Sequence, residues 1–507
     1  MRQAENMRMK HLRALARDAL EALVLDRAGR DEDFALWLDS RLAAASSDGV
    51  GTPLDPEPFR RRAKTLLSPS AFGRRRRYGD AGVDEAALEE LIGTADPLLA
   101  AGRGVDALAI LQPVAGALAD YWPECAHWDG TLYGFFPQLD GMIAQAVLMD
   151  GVPREMRDDL AVELDRWQCD LADYGADDAF STAIAACLQG WDEPGLEDAL
   201  AGRGQSWPPG GRGDRREDAL TRARLAALDA MGRTEAYLHL ARAAGFHGDH
   251  AVKLAQTGRV DAAVAFAHDR LSAPDDILRL AEAVADVGQM ETALDLAAWG
   301  LSRPVGGDDG EDWRFRAGRI SLARWLRERA QEVGRRELML LAARRTFEES
   351  LAREDFRAAS RLADRADWPA LRERLLAALL AAPYASERIE ILLDEDMTDE
   401  AVACVDPHDA RFFSPRDGTL ERLAERAYAD HPEWAITLAF RMADPIMTEG
   451  RSAHYEAAAV WLAIAARAHA ASGRSGEWAD RLEGLIETHR RKHKLRPLLV
   501  ALRHAAN

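Results

Sequence analysis

The amino-acid sequence predicts an all-α protein, an α-solenoid of stacked helix-turn-helix (TPR-like) repeats. Three observations lead there. Apolar residues recur at helical spacing along most of the chain, and the β-branched alternation that marks strands is rare. Two apolar series also share one register: Val260, Val264, Ala267 and Leu271 are matched by Met290, Leu294, Ala297 and Leu301, 30 residues later. A single helix pair cannot cover its own apolar stripe, so such units must stack on neighbours.

The elements follow in chain order. Residues 1–45 read as an N-terminal helical pair, with Leu12, Leu15, Ala16, Ala19 and Leu23 on one apolar face and Phe34, Leu38 and Leu42 on the next. Residues 46–82 form a Gly/Pro/Arg-rich connection. Gly49, Gly51, Pro53, Pro56 and Pro58 forbid one continuous helix there, and only a short helix fits inside the stretch. Helices resume over 83–205. A loop at 206–216, opened by Trp207-Pro208-Pro209-Gly210-Gly211, is the best candidate for a domain boundary or a surface loop.

From 217 to 507 the repeat array runs to the end. Gly258 and Gly288 precede the two matched series, and glycine there supplies the left-handed residue that ends one helix before the next begins. Weaker copies stand at Thr234, Leu238 and Ala241, at Phe356, Ala359 and Ala363, and at Met397, Ala401 and Cys404.

Composition narrows the function. With 65 Lys and Arg against 85 Asp and Glu the net charge is −20, which opposes non-specific attraction to phosphate backbones. Four cysteines, Cys125, Cys169, Cys187 and Cys404, form no close pairs, so neither a disulfide framework nor a structural zinc site is expected. A reducing, cytoplasmic setting fits this usage. No signal-peptide pattern and no run of eighteen apolar residues occurs, so no membrane association is expected.

Several local signatures, in order, resemble the long helical region that follows the zinc finger in bacterial SWIM zinc-finger family proteins. They are Leu98-Leu99-Ala100-Ala101-Gly102-Arg103, the stretch from Asp170 through Tyr174-Gly175 to Phe180, and Gln189-Gly190-Trp191-Asp192. Leu254 through Gly258-Arg259-Val260, His431-Pro432-Glu433-Trp434-Ala435 and Arg490-Arg491-Lys492-His493-Lys494 continue the series. The resemblance covers most of the chain and implies a helical interaction scaffold. It does not extend to the finger, because no Cys-x-Cys pair precedes Cys125-Ala126-His127.

Catalytic signatures are missing: there is no phosphate-cradling Gly-x-x-x-x-Gly-Lys-Ser/Thr loop, no His-Glu-x-x-His and no Gly-x-Ser-x-Gly. The expectation is a non-catalytic scaffold for protein–protein interaction, with no cofactor and no metal. Its candidate partner-binding residues are Tyr121, Trp122, Trp128, Tyr133, Phe135 and Phe136, the densest aromatic stretch, because aromatic side chains offer large, stiff contact area, although a core where a helix pair turns a corner is the commoner outcome for such a stretch. The alternative is a nucleic-acid accessory protein. It would contact phosphates through Arg60–Arg77, including Arg74, Arg75, Arg76 and Arg77, and through Arg490, Arg491, Lys492 and Lys494.

Remaining candidates read as structural. His489 and His493, four apart, would share a helix face, but the surrounding cations disfavour a metal. His247 and His250 read as packing or helix-end residues. Cys404 takes the slot of Ala267 and reads as small and buried. Trp167, Trp191, Trp299, Trp325, Trp434 and Trp461 read as core.

Overall fold

In the computed structural model, the described residues are 12, 15–45, 54–67, 84–125, 132–204, 206–208, 215–303, 313–382, 387–406, 418–450 and 452–504. One turn, used many times, organises them. Gly258 and Gly288 are left-handed, with φ of 79° and 84°, a conformation that a Cβ disfavours. The N–H of Gly258 donates to Ala255 O and that of Arg259 to Leu254 O, each at 2.9 Å. Gly288 and Gln289 make the same two bonds to Ala285 and Val284. This is the Schellman cap, which satisfies the carbonyls at a helix end. It recurs after Leu99, Asp229, Gln331 and Ala470, and Asp396 occupies the glycine position of a further copy with φ 58°.

The chain folds as two compact units, Met1–Leu271 and Ser272–Asn507. The first contains α1 (Arg17–Ala28), α2 (Glu32–Ala45), α3 (Glu57–Leu67), α4 (Glu85–Gly93), α5 (Asp96–Ala100), α6 (Gly104–Cys125) and α7 (Phe135–Val147). It continues with α8 (Arg154–Ala172), α9 (Ser181–Gln189), α10 (Leu196–Leu200), α11 (Arg215–Ala230), α12 (Thr234–Ala243), α13 (His247–Gln256) and α14 (Val260–Arg270). Phe59, Leu88, Leu111, Phe136, Leu164 and Phe180 belong to one shared core. Gly116 on α6 admits Trp167 of α8 so closely that a Cβ there would lie 2.8 Å from the indole. From α12 onward, packing becomes local: α12 meets α13, and α13 meets α14.

The second unit holds α15 (Pro274–Asp286), α16 (Met290–Ser302), α17 (Trp313–Glu332), α18 (Arg336–Ser350), α19 (Arg353–Leu362), α20 (Trp368–Ala381) and α21 (Arg388–Asp394). Then come α22 (Thr398–Ala403), α23 (Gly418–Ala427), α24 (Pro432–Thr448), α25 (Tyr455–Ala471), α26 (Ser475–Thr488) and α27 (Leu495–Ala501). Its helices pack substantially on the next helix or the next but one, as in α15 with α16 and α17, or α24 with α25. That is the contact pattern of a stacked helical-repeat array. No strand occurs among the described residues, and no described helix is long and apolar enough to cross a membrane.

The turns also carry charge in register. Gly232-Arg-Thr-Glu235, Gly258-Arg-Val-Asp261, Gly288-Gln-Met-Glu291 and Gly334-Arg-Arg-Glu337 share one pattern. The Arg after one glycine meets the acid three residues after an earlier one: Arg259 pairs with Glu235, and Arg335 with Glu291. Elsewhere in the array Arg474 Nη1 lies 2.7 Å from Glu433, and His431 Nε2 lies 2.7 Å from Asp399. Exposed pairs of this kind add little to stability. Their consequence is register rather than bulk stability.

Three sequence expectations change. The apolar face assigned to the first helix is not buried: α1 has no buried residue, and Leu15 and Leu23 are exposed. On α2 the buried positions are Leu36 and Ser40, the latter donating to Thr94 O, whereas Leu42 is exposed. Of the two readings of 206–216, a domain boundary or a surface loop, the boundary falls elsewhere, since the stretch lies within the first unit. Trp207 is buried, its backbone N–H donating to Ala243 O at 2.9 Å, and α11 after the loop packs back on α7 and α9. Arg224 of α11 fixes that return: its Nε and Nη2 donate to Gly190 O at 3.1 and 2.9 Å, and its Nη1 lies 2.7 Å from Glu193 Oε2.

Candidate interaction surfaces

The aromatic candidates divide by burial. Trp122 and Phe136 are buried, and Phe135 is only 9% exposed. Trp122 donates its indole N–H to Tyr174 O at 3.1 Å, and its ring meets Phe136 edge-on at 5.3 Å. Phe136 continues to Phe180 at 5.8 Å, and Phe180 to Trp167 at 5.9 Å. These rings build the core of the α6–α9 region, so a partner cannot reach them in the folded protein. Tyr121 is half-buried, and Trp128 lies outside the described residues. Among the described members Tyr133, 38% exposed, is the most exposed to solvent.

Tyr133 sits on a short 3₁₀ turn, Leu132–Gly134, that leads directly into α7. Its ring centroid lies 6.2 Å from that of Trp122 and 6.3 Å from that of Phe136, and its hydroxyl donates to Asp178 Oδ1 at 3.3 Å. It lines a cleft of about 170 Å³ together with Phe136, Pro137, Asp140, Asp178, Ser181 and Thr182. Asp140 is buried in one wall, where it accepts the N–H groups of Thr182 at 3.2 Å and Ala183 at 2.7 Å. It thereby caps α9 from a different helix. Burial outweighs those hydrogen bonds and pushes its pKa up to about 6. The Tyr133 phenol is also pushed up, first by burial and then by Asp178. Sequence reading missed both carboxylates, because Asp140 and Asp178 meet only after α7 and α9 pack.

The basic candidates are partly consumed by their own chain. Arg60 lies 2.9 Å from Glu57, Arg61 lies 3.1 Å from Glu32, and Arg62 lies 2.6 Å from Asp33. Arg74–Arg77 lie outside the described residues. At the C-terminal end Arg490 pairs with Glu487 and Lys492 donates to Met447 O, while Arg491 and Lys494 are exposed.

The histidine pair does not share a helix face. α26 ends at Thr488, so His489 and His493 fall in the turn before α27. Among the described residues no group of three His, Cys, Asp or Glu is placed to hold a metal. His250 is buried, with Nδ1 2.9 Å from Leu238 O and its ring 4.5 Å from Phe266. Cys404 departs from its reading as a buried small residue: α22 stops at Ala403 and leaves it exposed. Cys187 is buried, and burial pushes its thiol up to about 12. Of the tryptophans, Trp167 and Trp461 are buried, whereas Trp191, Trp299, Trp325 and Trp434 are half-buried.

No family model matches the chain, and a comparison with curated proteins found no match. Among solved structures, it is similar to a circular tandem repeat protein with novel repeat topology and enhanced subunit contact surfaces. That similarity is 16% sequence identity over 92% of this chain and 96% of the other, with a TM-score of 0.18.

Proposed function

We propose that this chain is a non-catalytic helical-repeat scaffold that holds a protein partner in the cytoplasm. The observation that carries the reading is Tyr133. Its flat, stiff ring is held against buried Trp122 and Phe136 at the mouth of a cleft in a helical framework, and such preorganised aromatics anchor interfaces at low entropic cost. The helical scaffold implied by the SWIM-family resemblance agrees with it, with this chain as the interaction region lacking the finger. The test is co-purification of the tagged full chain from its host, with and without nuclease, beside Tyr133→Ala. One or two proteins should be retained despite nuclease and depleted by the variant. Equal capture by wild type and variant, or no specific capture, contradicts the reading.

A nucleic-acid role through Arg74–Arg77, Arg490, Arg491, Lys492 and Lys494 is the second reading, favoured by the exposure of Arg491 and Lys494. It calls for retention that nuclease abolishes, and for affinity that falls steeply with salt. Arg491→Glu with Lys494→Glu should then weaken binding regardless of nucleic-acid sequence.

A further inference from the structure

Resting on the scaffold reading, we propose that the cleft between Tyr133 and the start of α9 is a pocket for one cationic side chain, arginine or lysine, of the protein partner. Its volume of about 170 Å³ is far above the ~15 Å³ that admits a single water. Its walls offer what a cation needs. The Tyr133 ring supplies an aromatic face, attractive to a cation that approaches within about 6 Å of its centroid.

Two carboxylates flank that face. Asp178 is exposed at the rim and accepts from the Tyr133 hydroxyl at 3.3 Å, which fixes carboxylate and ring relative to one another. Asp140 forms a buried wall, where Thr182 and Ala183 hold it in place. None of the described lining residues is cationic, so within that lining the negative charge meets no positive side chain.

Charge decides the class of occupant. A phosphate or an acidic side chain would face two carboxylates at once and be repelled. The exposed Asp177 beside Asp178 extends the acidic rim along the surface, so residues flanking the inserted side chain also meet negative charge. The chain as a whole carries −20, which steers a basic segment toward it and an acidic one away. A cation seated here would also favour the ionised form of Asp140, whose pKa burial holds near 6, so binding should strengthen as pH rises from 5 to 7.

The test uses the purified full chain and blocked Gly-Ser-X-Ser-Gly pentapeptides with X as Arg, Lys or Glu, read by saturation-transfer NMR, with spermidine as a free-amine arm. Arg and Lys peptides should give transfer and the Glu peptide none. Tyr133→Ala and Asp178→Asn should each weaken the Arg peptide at least ten-fold. Tyr133→Phe should keep most of the binding, because the ring remains, and Asp286→Asn, an exposed carboxylate in the other unit, should change nothing. Far-UV circular dichroism checks that each variant is folded.

Equal binding by wild type, Tyr133→Ala and Asp178→Asn overturns the pocket, as does equal transfer to the Glu peptide. Spermidine binding without peptide binding overturns the assignment to a protein side chain. The two readings separate cleanly. Loss of the pocket with a captured partner leaves the scaffold standing, whereas peptide binding with no captured protein contradicts the scaffold and the partner assignment together.

Discussion

At the residue scale, two buried titratable groups give the protein opposite pH responses. Asp140 keeps its proton more tightly when folded, with a pKa of about 6 against an ordinary 3.8. Its contribution to stability is therefore present at low pH and lost as pH rises through 6. Wild type should gain about 2 kcal/mol between pH 7.5 and pH 4.5 relative to Asp140→Asn, measured by urea denaturation of both proteins at each pH. His469 works the other way. It is buried beside Trp478, ring centroids 6.0 Å apart, and neither ring nitrogen has a hydrogen-bond partner among the described residues. Burial first, and then Arg474, holds its pKa below the usual histidine value despite Glu477 and Glu433. Its neutral form is favoured on folding, so stability is present above pH 6.5 and lost as pH falls below it. His469→Leu should remove that acid sensitivity, and the wild-type-minus-variant stability difference should become more negative from pH 7.5 to pH 5.5.

At the element scale, the Schellman turn was legible because its chemistry is local. Gly258 and Gly288 announced their turns, since glycine tolerates φ near 80° where other residues are strained. Gly288→Ala should cost about 1 kcal/mol or more. Asp396 was not legible as the same turn, since nothing in an isolated Asp specifies a positive φ. Asp396→Gly should stabilise by about 0.5–1 kcal/mol after allowing for loss of its pairing with Arg426, at 2.9 Å. Melting temperatures of the two variants check both signs, and stabilisation by Gly288→Ala would contradict the cap assignment. The charge ladder from Glu235 to Arg259 was hidden for another reason: its partners lie 24 residues apart and meet only when neighbouring hairpins stack.

At the scale of the whole molecule, local packing in the second unit predicts independence. Its core, including Phe347, Ile391, Phe440 and Trp461, is built from its own helices. A fragment spanning 272–507 should be helical and unfold cooperatively when expressed alone, as seen by circular dichroism and thermal scanning. A fragment ending at residue 205 should fare worse. It would remove α11, whose Leu220, Ala223 and Ala227 belong to the core shared with Phe136 and Phe180, and whose Arg224 ties back to Gly190. The Gly/Pro composition of 206–216 allowed either a boundary or a loop there, because composition does not show whether the following helix folds back.

The class of structure was legible before any folding was considered: helical periodicity, the 30-residue register and the glycine turns depend on neighbours along the chain. The sequence also marked the aromatic stretch that feeds the cleft. Tertiary structure decided which rings are core and which face solvent, because Trp122, Phe136 and Tyr133 are chemically alike in sequence and differ only in what packs against them. It likewise decided that Asp140 and Asp178, 38 positions apart, border one cleft. Burial and long-range proximity arise from packing, and a single chain read in order carries neither.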